Sequence, residues 1–112
     1  MEIQEHRQGA VTIVTPKGPL IQADADVFRA RLEAVAERSL GRLVLDLKLV
    51  PYVDSIGLEC LLDTAEYTGA AGDCLKVCGV NETLREVLDL TEVSSHFEFF
   101  SSHIDAVRSF LS

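Results

Sequence analysis

Basic residues are scarce in this chain. Ten Lys and Arg stand against eighteen Asp and Glu, giving a formal net charge of −8 and a pI near 4.7. The ten are scattered, with no run that could track a phosphate backbone, and an acidic surface repels nucleic acid and anionic lipid headgroups alike. Neither is expected as a partner. Long apolar runs are missing too, since no stretch approaches the about 20 residues that cross a bilayer. Met1-Glu2-Ile3-Gln4-Glu5 lacks the basic and apolar regions of a signal peptide. Cysteines number three, an odd count that suits a reducing compartment better than a disulfide framework. These absences predict a cytoplasmic protein without direct membrane binding.

Signatures of catalysis are lacking as well. A Gly-x-Ser-x-Gly nucleophile elbow would need glycine two residues before Ser55, where Val53 stands. There is no Gly-x-x-x-x-Gly-Lys-Ser/Thr loop to cradle nucleotide phosphates. Cys74 and Cys78 invite a metal assignment, but a strand would hold them about 13 Å apart, too far for one zinc ion. Cys60, Cys74 and Cys78 are expected to be buried thiols packing as small apolar groups, and His6, His96 and His103 to be surface residues. No cofactor, metal or enzymatic activity is expected.

What the chain has is the composition of an ordinary globular domain, 47% hydrophobic and 25% charged over 112 residues. With no linker, repeat or compositional break, residues 1–112 are expected to form a single domain with its own core. Residues 2–7 and 10–15 read as strands joined at Gln8-Gly9, the second rich in β-branched side chains. Pro16, Gly18 and Pro19 then open a loop. Asp24 is the expected N-cap of a first helix that buries Ala25, Phe28, Leu32 and Val35 and turns Arg29, Glu33 and Glu37 outward. Gly41 marks its exit, and Leu43–Leu47 reads as an inner strand with both faces covered.

After Pro51 a second helix begins near Asp54-Ser55 and buries Leu58, Leu61, Leu62 and Ala65, ending by Gly69 or Gly72. Leu75–Cys78 is a further strand. Asn81 caps a third helix with Leu84, Val87 and Leu88 inward. Phe97–Phe99 reads as an edge strand, and Ser102–Asp105 as the capping box of a last helix burying Ile104, Val107 and Leu111. Two opening strands followed by alternating helix and strand imply a mixed sheet in an α/β fold.

Three stretches together resemble the STAS family, named for sulphate transporters and anti-sigma-factor antagonists. They are Leu43–Leu62, where an apolar strand ends in aspartate and Asp-Ser-x-Gly-Leu opens a helix; Gly18-Pro19-Leu20 ahead of the first helix; and the strand–helix ending from Leu88 to Leu111. The resemblance covers essentially the whole chain and implies a STAS-like α/β fold, a mixed sheet of about five strands with four helices. It also implies a regulatory module that works by docking on other proteins. The implied partner is a kinase-type anti-sigma factor of the histidine-kinase-like ATPase class. The alternative is a constitutive STAS subunit on a membrane transporter, such as a lipid ABC-type complex.

Relatives are phosphorylated on the second serine of Asp-Ser-Ser-Gly, which adds about −1.5 to −2 charge to a surface that must fit a partner. Here the element reads Asp54-Ser55-Ile56-Gly57, so Ile56 occupies the usual acceptor position and Ser55 is the phosphorylation candidate. The usual switch is therefore not expected. Carried over from the family, the partner-binding residues are Leu20, Ile21, Asp24, Asp54, Ser55, Ile56 and Gly57. Asp54 also suits a helix cap, and Gly57 a close backbone approach. Ile56 is expected to face solvent.

Overall fold

The structure, a computed structural model, describes residues 1–68 and 74–111. Five strands form one mixed sheet: β1 (Glu2–Gln8), β2 (Val11–Lys17), β3 (Leu43–Asp46), β4 (Leu75–Cys78) and β5 (Phe97–Phe100). Four helices accompany it: α1 (Gln22–Arg38), α2 (Ser55–Thr68), α3 (Glu82–Leu90) and α4 (His103–Ser109). The spatial order is β1-β2-β3-β4-β5, with β1 antiparallel to β2 and every other pair parallel. Because the order never reverses, successive right-handed crossovers must all pass over the same face. That face holds α1, α2 and α3 over a core that includes Val14, Phe28, Leu32, Leu45, Leu61 and Leu84. The other face is left to α4, which packs Ala106 on Val11, Ile13, Val44 and Cys78.

The strand β2 runs through Pro16 instead of stopping there, and Ile3 pairs with Pro16 in the ladder. The amides of Thr12 and Gly18 both donate toward the β3 side, to Arg42 and Leu49. Pro16 shares their parity, so its missing N–H would also have faced that way, where pairing with β3 ends at Val14. No ladder bond is lost there. Asp24 is not the N-cap of α1, because the helix starts two residues earlier with Ile21 in the cap position and no capping bond from its side chain. Asp24 sits in the first turn and accepts from the Met1 amino group at 3.1 Å.

Two buried stripes also differ from the sequence expectation. Gly57, Cys60, Leu61, Thr64 and Ala65 form the inner face of α2, with Leu58 and Leu62 only half-buried at its flanks. The supposed exit glycines at 69 and 72 lie outside the described residues. In α4 only Ala106 is fully buried; Ile104 and Leu111 are exposed, since a seven-residue helix offers one short face to the sheet. Arg29 does not simply face outward, because it lies over the α1–α2 seam with its guanidinium 3.1 Å from Asp63. Cys60 and Cys78 are buried as expected, but Cys74 precedes β4 and is exposed.

Candidate partner-binding face

The loops that follow β2 and β3 are joined by main-chain hydrogen bonds. Gly18 N–H donates to Leu49 O at 2.9 Å, Leu20 N–H to Tyr52 O at 3.1 Å, and Asp54 N–H to Leu20 O at 3.1 Å. Leu20 and Val53 make an isolated parallel bridge. These bonds continue the parallel pairing beyond the ends of the strands proper. They turn two loops into one surface. Gly18, at φ 101°, supplies the left-handed turn that starts it.

Asp54 ties the two following helices to that surface. Its Oδ1 accepts from Gly57 N–H at 2.7 Å, the N-cap bond of α2, and its Oδ2 accepts from Gln22 N–H at 2.9 Å, in the first turn of α1. One carboxylate thus serves two helix N-termini, where exposed N–H groups and the helix dipoles both favour an anion. The Gly57 amide, then that of Gln22, hold the Asp54 carboxyl below its usual range against an opposing effect of burial. This cross-helix bond explains why α1 can start at Ile21 without a capping side chain of its own.

Gly57 is where α2 meets the first loop. A Cβ at this position would lie 2.1 Å from Leu20 O and 2.9 Å from Leu20 C, both backbone atoms. Beneath the loop, Leu20 is fully buried in the main core. Its side chain therefore anchors the surface from inside and offers nothing to a partner, contrary to its place among the expected contacts. Ile21, Asp24 and Ile56 are half-buried, and Ser55 is exposed. Ile56 packs on the edge of the main core instead of projecting freely into solvent. The close seat of Gly57 on Leu20 draws the whole first turn of α2 inward, Ile56 with it.

Two residues of this region were not singled out by sequence. Tyr52 is 54% exposed on the second loop while its carbonyl receives Leu20 N–H. An aromatic residue directly after Pro51 in the loop leading to Asp54 was the available signal. Asp46 is buried at the end of β3, where Oδ1 accepts from Lys48 N–H at 3.1 Å and Oδ2 lies 3.4 Å from Lys48 Nζ. Burial, then the neighbouring Asp46 carboxylate, push the Cys78 thiol up to about 12. Among the described residues no three His, Cys, Asp or Glu side chains converge as a metal site, and no helix is long and apolar enough to cross a membrane.

A monotonic sheet with three helices on one face, one on the other, and two loops locked at a shared helix cap defines the class. The sequence model of the STAS domain matches residues 2–106, and the chain belongs to this family. A relative from Paenibacillus polymyxa, an anti-sigma F factor antagonist, is 28% identical over 108 residues that cover 96% of this chain and 91% of the relative. The fold matches an anti-sigma factor antagonist from Mycobacterium paratuberculosis with a TM-score of 0.85 and 23% identity, covering 99% and 94% of the two chains. It also matches part of the murine solute carrier 26 family member A9 anion transporter, with a TM-score of 0.72 and 22% identity over 94% of this chain and 18% of the transporter.

Proposed function

We propose that this protein is an anti-sigma-factor antagonist that docks the Asp54 face on a kinase-type anti-sigma factor of the histidine-kinase-like ATPase class. The observation that carries this reading is the double cap at Asp54, which fixes two loops and two helix starts as one preformed surface. A preformed surface binds at a smaller ordering cost, which suits a protein whose work is to displace another. Ile21, Tyr52, Ser55 and Ile56 supply the contacts. Asp24 and Gly57 lie in the first turns of α1 and α2 beside them, and Leu20 supports the loop from the core. No chemical step is performed by this chain.

Docking in this reading is not switched by phosphorylation at position 56, where isoleucine replaces the hydroxyl. Were a kinase to modify the face, Ser55 is the acceptor: it is exposed, and its hydroxyl has no hydrogen-bond partner among the described residues. A constitutive role as a STAS subunit of a membrane transporter is the second reading, favoured by Ile56 itself. Affinity capture from native lysate with the wild type and an Ile56→Ser variant distinguishes them. Recovery of a histidine-kinase-like ATPase, with capture becoming ATP-sensitive and phosphate mapping to position 56 in the variant, supports the antagonist. Recovery of a permease supports the transporter subunit.

A further inference from the structure

At the opposite end of the sheet the fold leaves a surface uncovered. α4 has seven residues, so it is about 10 Å long, whereas five strands span about 19 Å. It reaches from β5 and β4 across β3 and stops short of β1. The gap is a groove of about 660 Å³ between the start of β2 and the last turn of α4. Val11, Val107 and Phe110 form its floor and walls, with Ile104 at 49% exposure and Leu111 at 80% on its rim. Arg42 and Arg108 also line it, and Arg42 is shared with an adjoining hollow of about 390 Å³ that Arg7 lines as well.

Charge singles this groove out. Seven of the ten basic side chains lie beside a carboxylate: Lys17, Arg29, Arg31, Arg38, Lys48, Lys76 and Arg85. Among the described residues Arg7, Arg42 and Arg108 pair with none. In a chain of net charge −8, two of these three, Arg42 and Arg108, line the same apolar groove, while Arg7, opposite Thr12 in the β1–β2 ladder, lines the adjoining hollow on the α1 side of the sheet. The one acid lining the adjoining hollow, Glu5, is occupied by Arg31 and Arg38.

We propose that this groove is a second docking site, which takes a protein segment carrying apolar side chains flanked by Asp or Glu. The apolar side chains fill the space between Val11 and Val107, and the carboxylates pair with Arg42 and Arg108. The site lies at the other end of β2 from the Asp54 face, roughly 20 Å away by strand length. Both can be occupied together, and neither depends on the other.

The probe is a fluorescein-labelled helical peptide with leucines at i, i+3, i+4 and i+7 and glutamates elsewhere. A control keeps the leucines and replaces glutamate by lysine. The glutamate peptide is expected to bind saturably and shift the amide resonances of Val11, Arg42 and Val107. Its affinity should drop at least about tenfold as salt shortens the Debye length from about 10 to 3 Å, and the lysine control should bind at least about tenfold more weakly. Arg42→Glu/Arg108→Glu abolishes binding, and Arg108→Ala, a change of one exposed residue, weakens it with an unchanged melting curve. Ile56→Asp leaves it unaltered, which separates this site from the Asp54 face. Equal binding of the two peptides, no binding, shifts confined to other residues, self-association through this face, or capture by anionic vesicles instead of peptide would each overturn the proposal.

Discussion

Replacing Gly57 by alanine sets two effects of opposite sign against each other. Alanine is the better helix former by about 1 kcal/mol in a helix interior, so a helix judged alone gains. Against that, the new Cβ would stand 2.1 Å from Leu20 O, which belongs to the backbone and cannot rotate aside. Relief demands that α2 and the Leu20 loop part by more than an ångström. Overpacking of this kind costs about 1–3 kcal/mol, and the upper end applies because the new Cβ meets main chain that no rotamer change can move. Parting the loops also strains the bonds from Asp54 N–H to Leu20 O and from Gln22 N–H to Asp54; each is worth about 1 kcal/mol net. The clash outweighs the propensity. The balance is a destabilisation of about 2–3 kcal/mol, or roughly 10 °C in Tm for a domain of this size. Urea and thermal unfolding followed by circular dichroism measure it. A Gly57→Ala protein as stable as the wild type, or more stable, would refute the close-approach argument.

Asp54→Asn should be less stable than the wild type near neutral pH, with the difference fading in acid. The depressed carboxyl contributes stability above its unfolded pKa, about 3.9, and loses it as pH falls through the lower folded value; a difference that persists at pH 2 would contradict this assignment. Native-state alkylation should modify Cys74 quickly and Cys60 and Cys78 only after denaturation, as mass spectrometry after a short pulse of iodoacetamide would show. Because the Cys78 thiol is pushed up to about 12, its neutral form stabilises the fold fully below the unfolded pKa near 8.5, and that contribution declines as pH rises toward the folded value. Cys78→Ala should therefore show a flatter loss of stability through this alkaline window. Ile56→Asp, which now exchanges a half-buried side chain for a charge, should cost about 1–2 kcal/mol without unfolding the protein; a globally unfolded variant would place Ile56 deeper in the core than observed.

Patterns that operate within a single element were legible in the sequence. The β-branched run of β2, the apolar run of β3, the Asn81 cap and the helical spacing of Ala25, Phe28, Leu32 and Val35 all concern neighbours within a few residues. The same holds for the Asp-Ser-x-Gly element, whose aspartate does cap its own helix. Contacts between distant segments could not be read this way. Sequence placed the cap of α1 at Asp24, the nearest suitable residue, whereas Gln22 N–H takes Asp54, 32 residues away. Leu20 belongs to a loop by its prolines and glycine, yet lies in the core because α2 closes over it. Ile104 and Leu111 keep a helical rhythm that implies burial, but a short α4 has too little sheet beneath it. Local propensity and periodicity determined the elements of this protein. The order of its strands, the sharing of one carboxylate between two helices, and the apolar faces left uncovered were decided by tertiary packing, because each depends on distances between segments that no local pattern encodes.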